Sequence, residues 1–223
     1  MMGTNPKLEP NVWLVVLDLE ATCGLDVPWY EKEIIEVRAI VVSVVQQTAI
    51  AEFHAYVRPA TYTAPLDPLC LSLTGVTQAQ VDAALPFRRV WKDLVAFCAP
   101  YERHGLVVSV DDWDVTTMLP AQCARDEVPL PAFFRRHITL KSVCKDVFGS
   151  TPADVIAILL RLQMPLAWYY DGGITYGRHL VAIVIHLLTN GVIFETESQR
   201  KHRHYSMLAP STDVAALLPA TSS

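Results

Sequence analysis

The chain has 223 residues, 52% of them hydrophobic and 18% charged, which is enough apolar material for one sizeable core in a single domain. A formal net charge of −5 excludes a protein that coats nucleic acid through charge alone, although the acidic metal site of a nuclease lowers net charge in the same way. No uninterrupted apolar run reaches the length that a bilayer requires, so no membrane association is expected.

Residues 1–11 are polar and carry prolines, and are expected to be a flexible tail; no apolar stretch follows a basic one, as in a secretory signal. Val12–Leu19 is a nearly continuous β-type run, which predicts a strand buried on both faces. After a loop over Gly24–Pro28, Glu33–Gln46 forms a second such run. Ala51–Val57 alternates as a third, ended by Arg58-Pro59. Three strands followed by helical segments predict a mixed sheet that opens with an antiparallel meander. Helices are predicted over Thr77–Ala84 and over Phe87–Ala99, where Phe87, Val90, Trp91, Leu94, Val95 and Cys98 recur at helical spacing. A short buried strand is expected at Gly105–Val110 and a helix at Val115–Asp126. Further helices are expected at Leu140–Phe148, Thr151–Leu162 and Gly177–Thr189, with Thr151 as the N-cap of the middle one and Pro152 at its first position. Beyond Asn190-Gly191 the apolar Val192-Ile193-Phe194 leads into a polar, basic stretch, which sets the domain at 12–194 and a polar C-terminal tail at 195–223.

Cys23, Cys70, Cys98, Cys123 and Cys144 are odd in number and never spaced as CxxC. They read as buried thiols in a reducing compartment rather than a zinc site or disulfide framework. A cytosolic or nuclear home is the default, with an organelle left open.

The acidic pairs carry the chemistry. Asp18 and Glu20 end the first buried run, and residues i and i+2 of a strand project from one face. Such carboxylates either face solvent at a strand end or hold a hard cation such as Mg²⁺ or Mn²⁺ between them. The wholly apolar run before them puts the pair at the sheet end where α/β ligands bind. Asp111-Asp112-Trp113-Asp114 follows the later strand. Asp114 there serves either as a helix cap or as a metal ligand.

The motif Asp18-Leu19-Glu20-Ala21-Thr22-Cys23, together with Glu33-Ile34-Ile35-Glu36, resembles the first motif of the DnaQ-like (DEDDh) 3'-5' exonucleases, in their Eri-type, histone-mRNA 3'-exonuclease branch. Leu73-Thr74-Gly75-Val76-Thr77 is similar to the segment that packs on the substrate's terminal nucleotide. Asp112-Trp113-Asp114-Val115 with Leu119-Pro120-Ala121-Gln122-Cys123 is similar to the second motif and its helix, and Ile138-Thr139-Leu140-Lys141 resembles the NLK-type segment. The similarity runs from about Trp13 to Gly191. It implies an α/β, RNase-H-like three-layer exonuclease fold, with a mixed central sheet flanked by helices. It also implies Asp18, Glu20 and Asp114 as ligands of divalent metal, and Thr22, Gly75, Val76 and Arg178 as nucleic-acid-contacting positions. In the family, four acidic residues hold two ions and a histidine is the general base.

The third motif departs from that pattern. It should read as a histidine followed five residues later by an aspartate. With Gly173-Ile174 and Arg178 fixing the alignment, the histidine position holds Asp171 and the aspartate position Tyr176. His179 and His186 have Val184 and Gly191 five residues on, so neither restores the motif. The tyrosine variant fails too, because four residues after Tyr169 and Tyr170 stand Gly173 and Ile174. Asp171 either reaches a metal from its loop or is a turn residue beside two glycines. The expectation is a catalytically impaired pseudo-exonuclease that binds single-stranded RNA or a protein partner and holds at most a single, weakly bound ion. The alternative is an active metal-dependent 3'-5' exoribonuclease. Arg200-Lys201-His202-Arg203-His204 either touches phosphates or is a solvated tail. Arg88-Arg89 and Arg135-Arg136-His137 read as surface charges, with a nucleic-acid rim as the other option. Trp29-Tyr30 and Trp168-Tyr169-Tyr170 serve packing, a protein contact or base stacking.

Overall fold

The structure, a computed structural model, describes residues 11–24, 27–61, 65–165, 176–196 and 199. The apolar runs near the N-terminus become β1 (Trp13–Ala21) and β2 (Ile34–Ser43), paired antiparallel and almost wholly buried. β3 (Thr48–Arg58) adds to β2 antiparallel, completing the expected meander. After the short helices α1 (Pro68–Thr74) and α2 (Gln78–Ala83), a two-residue strand β4 (Leu85–Pro86) pairs with the end of β3. Helix α3 (Phe87–Cys98) then crosses to β5 (Gly105–Ser109), which lies parallel to β1. A π-helical turn, Trp113–Met118, runs into α4 (Leu119–Arg125), and β6 (His137–Thr139) pairs parallel to β5. Helices α5 (Leu140–Phe148), α6 (Val155–Arg161) and α7 (Tyr176–Thr189) complete the domain.

The six-stranded sheet has the order β4-β3-β2-β1-β5-β6. Alternation along the strands divides the apolar side chains between two cores. Val15, Leu17 and Val37 face α3, α4 and the Phe133-Phe134 turn, whereas Leu14, Val16, Ile40 and Val42 face α5, α6 and α7. This mixed sheet between two helical layers is the three-layer arrangement expected from the sequence. By the same alternation, Asp18 and Glu20 continue the Leu14, Val16 row and emerge on the face covered by α7.

Several elements differ from the sequence reading. Helix α1 was not anticipated; it is short, with Asp67 accepting from Leu69 N at 2.7 Å and Gly75 closing it at φ 72°, a left-handed position that suits glycine. Helix α6 starts later than expected, because Asp154 rather than Thr151 is the N-cap, accepting from Ala157 N at 2.8 Å. The Val115–Asp126 helix begins earlier, in the π turn, and β6 is a strand where none was foreseen. Thr77 caps α2 in a reciprocal box with Gln80. All five cysteines are free thiols, four of them buried. Among the described residues, no helix is long and apolar enough to cross a membrane. Phe134 is fully buried, its ring centroid 4.9 Å from that of Trp91. Phe134→Ala is expected to cost about 3–5 kcal/mol and lower the melting temperature by roughly 6 °C or more, measured by calorimetry.

Candidate functional site

Strand register assembles the site. Across the β1–β2 pair, Asp18 stands opposite Arg38 and Glu20 opposite Glu36; across β2–β3, Arg38 stands opposite His54 and Glu36 opposite Tyr56. Directly opposed residues share a face, so one polar strip ends an otherwise apolar surface. Arg38 donates from Nη1 to Asp18 Oδ2 at 3.2 Å and from Nη2 to Glu36 Oε1 at 2.7 Å. His54 Nε2 meets the same Glu36 oxygen at 2.6 Å. Arg38 and Glu36 are both about 3% exposed, and Asp18 only 6%.

Asp114 lies in the first turn of the π-helical segment, not at its cap, which is Asp112. Asp111 is engaged elsewhere, accepting from Trp113 N at 3.1 Å and from Lys141 Nζ at 3.3 Å. Asp112 meets His137 Nε2 at 3.0 Å. Asp114 and Glu20 therefore remain to face Asp18. Among the described residues, neither pairs with an arginine, lysine or histidine.

Their electrostatics follow from burial. Desolvation raises Asp18 to about 6, aided by Glu36 and opposed by the Arg38 guanidinium. Glu20 is pushed up to about 9, first by burial and then by the charges of Asp18, Glu36 and Asp114, with Arg38 acting against them. Asp114 also rises well above the usual carboxylate range, through burial and then Asp18 and Asp111. The ion pair on Asp18 and its raised pKa point in opposite directions; the contact is geometric, and burial outweighs it.

The other sequence candidates are distributed as follows. Thr22 is buried, its Oγ1 accepting from Glu33 N at 3.0 Å. Val76 sits in a small core with Ile35, Cys70 and Val81. Gly75 and Arg178 are exposed. Helix α1 abuts the strand end, since Cys70 Sγ reaches Ala21 O at 3.7 Å. Asp171 lies outside the described residues, as do Trp168-Tyr169-Tyr170 and Arg200–His204. Tyr176 opens α7, its side chain likewise outside the description. The next residue, Gly177, is pressed against Arg38, so that an added Cβ would collide with Arg38 Cδ. This brings the third-motif helix to the Asp18 side of the strip. Arg88 and Arg89 form exposed pairs with Glu127 and Asp93, while Arg136 bonds the Glu102 and Gly105 carbonyls instead of lining a groove. The residue that sequence reasoning missed is Arg38. Its signal was a charge placed two residues after Glu36 within an apolar run.

Hard carboxylates suit Mg²⁺ or Mn²⁺. Yet an arginine already occupies one Asp18 oxygen, and among the described residues no three His, Cys, Asp or Glu side chains form a group able to hold a metal. The described residues do not fit a two-ion set.

Residues 15–160 match the RNase_T exonuclease family. The chain is 28% identical to ERI1 exoribonuclease 2 of Danio rerio over 197 residues, which are 80% of this chain but 35% of that protein. It is 28% identical to the 3'-5' exonuclease eri1 of Schizosaccharomyces pombe over 210 residues, 82% of this chain and 70% of that one. Its fold is similar to that of a 3'-exonuclease solved in recognition of the histone mRNA stem-loop 3' end, with TM-score 0.75 and 24% identity, covering 83% of this chain and 85% of that chain.

A carboxyl whose folded pKa exceeds its unfolded value stabilises the fold while protonated and loses that contribution as pH rises. Without divalent cation, the melting temperature is expected to fall as pH rises from about 6 to about 9 through the Glu20 range, and this decline should be smaller in Glu20→Gln, where Asp114 still contributes. A profile identical in the two proteins would refute the buried, uncompensated carboxylate.

Proposed function

The chain belongs to the RNase_T exonuclease family, and from that premise we propose that it is a catalytically impaired member acting as an RNA- or protein-binding subunit. The observation that carries the reading is the third motif, where Asp171 and Tyr176 stand in the positions of the family's histidine and final aspartate. A missing general base is worth about 10²–10⁴ in rate. The loss of a ligating carboxylate comes in addition. The guanidinium on Asp18 supports the same reading, since it competes with a cation for that carboxylate.

In this proposal Asp18, Glu20 and Asp114 are the surviving members of the family's metal set. At most one weakly held Mg²⁺ or Mn²⁺ sits on the Glu20–Asp114 side. The binding unit is residues 12–194, with tails on either side. The similar 3'-exonuclease recognises the histone mRNA stem-loop at its 3' end, and by analogy the proposed nucleic-acid ligand is a single-stranded RNA 3' end. Exposed surface for it lies beside the strand end, in Gly75, Arg178 and the exposed leucines Leu69, Leu71 and Leu73 of α1. Those leucines equally suit a protein partner. Thr22 and Val76 are proposed to shape this edge from beneath.

An active 3'-5' exoribonuclease is the second reading. It is favoured by Glu20 and Asp114, which retain the carboxylates of a metal site with no basic partner among the described residues. Incubation with a 3'-labelled single-stranded RNA in Mn²⁺ separates the two. The wild type is expected to release no more label than the Asp18→Ala/Glu20→Ala double variant. Stepwise shortening that disappears in the double variant would establish the active enzyme instead.

A further inference from the structure

We propose that Arg38 is a built-in counter-ion, standing in for a divalent cation at Asp18, so that the strip holds its carboxylates together without a metal at that position. Register puts Arg38 directly opposite Asp18 on one face of the β1–β2 pair. Its guanidinium bridges Asp18 at 3.2 Å and Glu36 at 2.7 Å, while His54 Nε2 meets the same Glu36 oxygen at 2.6 Å.

An arginine at a surface could swing aside for an incoming ion; this one cannot do so cheaply. Its side chain is 3% exposed. It is walled in by Gly177 at the start of α7, where no Cβ would fit beside Arg38 Cδ. Seating a divalent ion on the same Asp18 oxygen would set two cations side by side in a buried, poorly screened place. Turning the guanidinium away would leave the buried Glu36 with His54 as its remaining basic partner among the described residues. The Arg38 charge also acts on Glu20, so its field extends along the strip. A planar guanidinium matches a pair of carboxylates as a fork of donors, but it has no open coordination position and cannot acidify a water. It replaces the charge of an ion without its chemistry.

This assignment rests on the impaired-site reading, but its tests do not: a nuclease-active wild type would end that reading, whereas binding and melting measurements bear on Arg38 alone. The probe is Mn²⁺ itself, titrated into the full chain and followed by loss of its free electron-paramagnetic signal. Arg38→Gln is expected to bind Mn²⁺ at least tenfold more tightly than the wild type, and Arg38→Lys, which keeps the charge, no more tightly than the wild type. Equal affinity of wild type and Arg38→Gln would overturn the proposal. Should Arg38→Gln fail to fold, the double variant Asp18→Asn/Arg38→Gln in chelator decides. If Arg38 compensates the Asp18 charge, neutralising both partners is expected to restore a cooperative melting transition that Arg38→Gln alone lacks. A double variant as unfolded as Arg38→Gln would mean that the guanidinium serves something other than Asp18, and the proposal would fall.

Discussion

Charge buried at the end of β1 and β2 must be compensated, and the site is organised by how that is done. Besides burial, the charges of Asp18, Glu36 and Asp114 raise the pKa of Glu20, Glu36 raises that of Asp18, and Asp18 raises that of Asp114. In a poorly screened interior such a group stays ionised only beside a cation. Arg38, seconded by His54 at Glu36, supplies one for Asp18 and Glu36. Glu20 and Asp114 are left on the other side, with raised pKa values as the consequence. Among the described residues, the strip is therefore two unlike halves, one closed by an ion pair and one without a basic partner.

The fold makes this arrangement stiff. Both strands are buried on two faces, and the apolar cores above and below the sheet keep water from the row that ends in Asp18 and Glu20. Helix α7 contributes Leu180, Ile183, Val184 and Leu187 to one core while its first turn closes on Arg38. The third motif is thus coupled to the first through packing as well as through sequence. In the family, two ions bring metal chemistry to the scissile bond. Here the same scaffold brings a guanidinium to the first carboxylate.

Neighbouring features divide between scaffold and surface. Glu33, equally buried, accepts from Ala60 N and Thr61 N at 2.8 Å and so pins the loop after β3 to the start of β2. Gln122 accepts from Ile34 N at 2.9 Å, joining α4 to the same point. Polar residues within the first and second motifs therefore hold the strand end in place and need no ligand to account for them. By contrast, Leu69, Leu71 and Leu73 of α1 are exposed, and they form part of the proposed contact surface.

Periodicity alone located the meander, the amphipathic α3, the helix Leu140–Phe148 and the apolar α7, because each carries a full period of apolar residues across several turns or pleats. The same argument placed Asp18 and Glu20 on one face, and ordered motifs identified the exonuclease fold. Short elements were less legible. Helix α1 spans fewer than two full periods, although Asp67-Pro68 and Gly75 bracket it with cap signals, and β6 is three residues long. At α6 the N-cap is Asp154 rather than the expected Thr151, and Val155 and Ile158 enter the core from its first turn. What the sequence by itself determined is the layered fold and the placement of Asp18 and Glu20 on one face of the first strand, since these depend on residue type and local spacing. That Arg38 sits on Asp18, and that Gly177 seals it there, was decided only by tertiary structure. Strand register and helix docking bring together residues distant along the chain, and no local pattern encodes which charge will meet which.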